Sequence, residues 1–123
     1  MDETLRTVVT QLKEKTKQGK VHWLVGSTSN EYRLVLPEST ISISVYLSSN
    51  QYYVDCKIVN NRGDIILREN TTQNSEDGAF LTNFFISVRD AYTGKEDVIS
   101  SIMNHLANDD VLGTPEESDE LPF

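Results

Sequence analysis

One cysteine, Cys56, and two histidines, His22 and His105, supply all the thiol and imidazole groups of this 123-residue sequence. A single thiol excludes an internal disulfide, and three dispersed residues fall short of the Cys/His sets that hold structural zinc. Cys56 shares the alternation of Val54 and Ile58, which predicts a small core residue rather than a nucleophile. Neither histidine stands in a local motif with a serine, cysteine or carboxylate. Asp55 and Asp64 flank a hairpin signal, but carboxylates across a turn are ordinary solvated groups, and Arg62-Gly63-Asp64 reads as that turn. The six glycines are scattered, so no phosphate-cradling loop is present. The expectation is a protein that is not an enzyme, with no catalytic residue, metal or cofactor.

Recognition chemistry is better represented. Trp23, Tyr32, Tyr46, Tyr52 and Tyr53 fall in strand-like segments near Arg33 and Lys57. By parity, Trp23 and Tyr32 belong with the apolar positions, whereas Tyr46 and Tyr53 face the other way. Arg33, Tyr46, Tyr53 and Lys57 are therefore candidates to share one surface, on which single-stranded nucleic acid could stack at about 1–3 kcal/mol per base. The second candidate is the closing stretch ESDELPF, residues 117–123. An aromatic on a charged leash is a peptide ligand: the Phe123 ring fills an apolar pocket, a terminal carboxylate pairs with arginine, and Glu117, Asp119 and Glu120 steer toward a basic rim. Pro122 lowers the entropy of fixing the ring.

The elements that must carry these residues are legible from period. Leu5, Val8, Val9 and Leu12 recur at helical spacing, predicting a helix over 2–17 with Asp2 as N-cap and Gly19 as its stop. After Gly19 the period becomes two. Strands are predicted around Val21, Trp23 and Val25, around Tyr32, Leu34 and Leu36, over 41–47, over 52–58 and over 65–68, joined by short polar turns. Residues 71–78 read as a loop. Phe80, Leu81, Phe84, Phe85, Val88 and Tyr92 mark a second helix, and Val98, Ile99, Ile102, Met103 and Leu106 a third, with Thr93 and Glu96 as its capping box. Connections this short exclude helical crossovers. The expected fold is α+β: an N-terminal helix, a five-stranded antiparallel meander, and two C-terminal helices packed on one sheet face.

Charge divides the chain. Its formal net charge of −8 separates into 13 acidic and 11 basic residues up to Asn108, and six acidic residues with no basic one from Asp109 onward. A nearly neutral body is a poor general polyanion binder, while the tail repels phosphate and attracts basic proteins. We expect a single domain over 1–108 and a disordered acidic tail over 109–123. No signal-peptide pattern opens the chain and no run is long and apolar enough to span a membrane, so the expectation is a cytoplasmic protein without a membrane partner.

SDELPF resembles the acidic C-terminal tip of bacterial single-stranded-DNA-binding proteins, which end in aspartates followed by Ile-Pro-Phe or Leu-Pro-Phe. By position, Leu121, Pro122 and Phe123 match the hydrophobic anchor, and Asp119 and Glu120 match the acidic part. The resemblance covers about six residues and implies docking into replication, recombination or repair proteins. The body departs from that family, which begins with an oligonucleotide-binding barrel and carries a long linker rich in Gly, Gln and Pro. Here a helix opens the chain and the linker is about ten residues. The first helix, GKVHW, NEYRL and VNNRGDI are instead similar to small uncharacterised proteins of bacteria and mobile elements, a likeness that implies no activity.

Together these readings predict a bacterial or phage interaction protein whose tail docks into the basic, hydrophobic pocket of a DNA-processing protein, with a homodimer possible. Two alternatives follow from the same residues. One is single-stranded DNA or RNA binding by the open sheet face. The other is an inhibitor or immunity-type protein that blocks a basic enzyme.

Overall fold

A computed structural model describes residues 1–108 and 111–113. The chain forms two units, Met1–Thr93 and a second that begins at Gly94. The first contains helix α1 (Glu3–Lys17), strands β1 (Leu24–Val25), β2 (Glu31–Val35), β3 (Ser39–Ser48), β4 (Gln51–Asn60) and β5 (Ile65–Thr72), and helix α2 (Glu76–Thr93). The fold is α+β, as the periodicity predicts. The five strands form one antiparallel sheet in chain order.

Helix α1 starts where Asp2 caps it, its Oδ1 accepting from Leu5 N at 3.0 Å. It ends at Gly19, whose φ of +72° is readily adopted only by a residue without a Cβ. Its apolar stripe buries Leu5 and Val9 against α2, which itself lies on β3, β4 and β5. The core joins these residues to Trp23, Tyr32, Ile43, Val54, Cys56, Leu81, Phe84, Phe85 and Val88. Alternation along β3 and β4 sends Ile43, Val54 and Cys56 into that core. It leaves the opposite sheet face to Ser42, Ser44, Tyr46, Tyr53, Asp55 and Lys57.

Three local expectations are corrected. The first strand shrinks to two residues. Trp23 turns inward, its indole N–H donating to Thr16 Oγ1 at 3.0 Å, and Val25, expected to face inward, is exposed. Residues 71–78 are not a loop: β5 runs to Thr72, and Ser75 caps α2 by accepting from Gly78 N at 2.9 Å. A Cβ at Gly78 would collide with the Thr72 carbonyl, so this turn requires glycine. Thr93 does not open a capping box. It closes α2, its hydroxyl donating to Asp90 O, and the N-cap of the next helix is Gly94 at φ +70° with no side-chain cap.

Helix α3 (Lys95–Ala107) belongs to the second unit. None of its residues is buried, and Val98, Ile99, Ile102, Met103 and Leu106 are exposed. No helix of the described residues is long and apolar enough to cross a membrane.

Candidate functional site

Cross-strand register builds the open sheet face. Arg33 on β2 pairs with Ser42 on β3, Ser42 with Lys57 on β4, and Lys57 with Arg68 on β5. Three cations thus occupy one line across four strands. Two residues along, Glu31, Ser44, Asp55 and Asn70 form a second line, and Tyr46 with Tyr53 begins a third. Arg33, Lys57, Tyr46 and Tyr53 do share one face, but the cationic and aromatic lines stand four residues apart, roughly 13 Å along a strand.

The lines are tied to one another. Tyr46 and Tyr53 stack with ring centroids 5.5 Å apart and planes inclined by 12°. The Tyr46 hydroxyl donates to Asn70 Oδ1 or accepts from its Nδ2, which lies 2.8 Å away. Arg68 donates from Nε and an Nη to the two oxygens of Asp55 at 2.9 and 3.2 Å. That pairing raises the Arg68 pKa above its ordinary value, through the hydrogen bond first and the carboxylate charge second. Asp55 is buried although it stands on the open face, and a carboxylate there persists because it is doubly bonded to a guanidinium. Arg33 donates to Ser27 Oγ at 2.6 Å and lies 3.4 Å from Glu31 Oε1. Of the three cations, Lys57 is the one free of an ion pair among the described residues.

Asp55, between Tyr53 and Lys57 on β4, completes this face by the same alternation, whereas Arg68 and Asn70 on β5 complete it and escape sequence reading. A bulge between Ile58 and Val59 is the cause: Val59 pairs with Ile65, but Ile58 pairs with Leu67. Counting pairs back from the Asn60–Asp64 turn without that slip sets Arg68 opposite Cys56, on the core side. The slip turns Arg68 outward.

The remaining candidates are placed as follows. Cys56 is buried in the core, with its thiol pKa pushed up to about 12, chiefly by burial and then by the Asp55 charge. Asp55 and Asp64 do not converge, since Asp64 accepts from Asn60 Nδ2 and pairs with Arg62 inside its own turn. His22 lines a recess with Val21, Trp23, Ala91 and Tyr92. Among the described residues no group of three or more His, Cys, Asp or Glu is placed to hold a metal ion. Glu117, Asp119, Glu120, Leu121, Pro122 and Phe123 lie outside the described residues. The chain matches no family model, no curated protein and no solved structure.

Proposed function

We propose that this is a non-enzymatic interaction protein of bacterial or phage type, acting in the cytoplasm. Its acidic segment docks into a basic, hydrophobic pocket of a DNA-replication or repair protein. The observation that carries the reading is the residue order Asp119-Glu120-Leu121-Pro122-Phe123 at the end of a stretch with six acids and no base. In that mode Phe123 fills the pocket, Leu121 and Pro122 hold the backbone against its lip, and the carboxylates of Glu117, Asp119 and Glu120 speed encounter with its basic rim.

Capture from bacterial lysate with the full chain, a chain ending at residue 122 and a chain ending at residue 113 tests this reading. Replication or repair proteins retained by the first and lost from both truncations support it. Retention by all three moves the contact to the folded body.

A second reading is single-stranded nucleic-acid binding on the open face, favoured by the stacked Tyr46–Tyr53 pair on the same face as Arg33, Lys57 and Arg68. It ranks second because Arg33 and Arg68 already have carboxylate partners. Oligonucleotide anisotropy with the chain ending at residue 113 distinguishes the two. Affinity that falls with salt and with Lys57→Ala belongs to the face and not to the tail.

A further inference from the structure

Among the described residues the two edges of the sheet are unequal. β1 offers two residues, a length that natural sheets use to blunt an edge, whereas β5 is an eight-residue edge without proline or lysine. Gln73 N donates to Tyr52 O at 3.1 Å, continuing the register in which Thr72 faces Tyr53. Bonded and non-bonded pairs alternate along an antiparallel ladder. Leu67, Glu69 and Thr71 therefore turn their backbone groups toward β4, and Arg68, Asn70 and Thr72 turn theirs away from the sheet.

We infer that β5 is a self-association edge, on which a second copy of this chain adds antiparallel about a two-fold axis to make one ten-stranded sheet. Charge and the bulge exclude three registers. Centring the axis on Arg68 or on Glu69 opposes like charges, which destabilises a strand pair. Centring it on Leu67 relies on the bulged stretch at Ile65 and Ile66, where the pleat is broken. Centring it on Asn70 sets Asn70 against Asn70 of the partner subunit, Arg68 against the partner's Thr72, and Glu69 against the partner's Thr71.

That register forms four backbone hydrogen bonds to outward groups. Two join the Asn70 residues, and one runs from each of the two Thr72 N–H groups to the Arg68 carbonyl opposite. The Thr72 carbonyl already accepts from the N–H and hydroxyl of Ser75, so it adds little. Because each copy has one long edge, such pairing closes as a dimer and cannot extend into a filament. The residues up to Asn108 oppose it weakly, with 13 acidic and 11 basic residues.

Sedimentation velocity of the full chain over a concentration series tests the edge. The expected species is a dimer of the 13.9 kDa chain. Asn70→Pro removes an outward N–H without touching the β4 ladder and should yield a monomer with unchanged far-ultraviolet dichroism. Two gentler variants keep the test decisive if that one misfolds. Thr72→Arg, facing Arg68 of the partner subunit twice over, should raise the dimer dissociation constant roughly twofold to thirtyfold, and Thr72→Glu should lower it. A chain that stays monomeric, or that dimerises with an affinity indifferent to both Thr72 variants, overturns the inference.

Discussion

Thr16→Val isolates one buried hydrogen bond at the joint between α1 and the start of the sheet. The two side chains have nearly the same shape, so packing and χ1 preference are retained while the acceptor for the Trp23 indole is lost. Thr16 is 3% exposed and Trp23 4%, so water does not replace the missing partner. Leaving a buried donor unsatisfied costs about 1–3 kcal/mol. For a cooperative unit of this size each kcal/mol moves Tm by roughly 4–8 °C, giving a loss of roughly 4–24 °C. Thr16→Ser keeps the acceptor and forfeits only a methyl, about 0.8 kcal/mol. Trp23 is the sole tryptophan, so its fluorescence in a urea titration reports this unit directly. A valine variant as stable as the wild type, or a serine variant less stable than the valine one, refutes the reasoning.

Phe84→Ala should cost about 3–5 kcal/mol in the same titration, because it empties a fully buried site and removes the edge-on contact with Trp23 at 5.8 Å. The Met1 ammonium lies 2.9 Å from Asp77, whose hydrogen bond raises the amine pKa above 8.0, and the same bond holds the carboxyl below 3.8. The raised amine contributes below pH 8 and loses its contribution as pH rises through its folded value; the depressed carboxyl contributes above about pH 4 and loses its contribution on acidification. Tm against pH should accordingly fall at both extremes, more steeply in the wild type than in Asp77→Asn; parallel curves would contradict this. Cys56, with its thiol near 12, should resist a disulfide reagent at pH 8 until denaturant is added, and rapid native labelling would show the site to be open.

Much of the fold is legible because its strands alternate cleanly. Ile43, Val54 and Cys56 read as inward and Tyr46 and Tyr53 as outward from period alone, and the structure places them so. Asp2 and Gly19 bracket α1 as capping chemistry predicts. What escapes the sequence is set by non-local events. Trp23 commits its indole to Thr16, a partner seven residues back on the helix, and β1 begins only at Leu24. The Ser75 cap hides in a polar run that reads equally well as loop. The open face is half legible: Arg33, Asp55, Lys57 and the tyrosines follow from parity, while Arg68 and Asn70 depend on a one-residue slip that no turn signal announces. The proposed docking segment is legible only as a residue order, and its six named residues lie outside the described part of the chain.

The most direct measurement is displacement. A fluorescent tip peptide from a bacterial single-stranded-DNA-binding protein is bound to a repair protein that takes such tips, and the present chain is titrated in. The docking account predicts that the full chain releases the peptide, that the chain ending at residue 122 releases it at least tenfold less well, and that added salt weakens both. No release by the full chain, or equal release by the two chains, would contradict it.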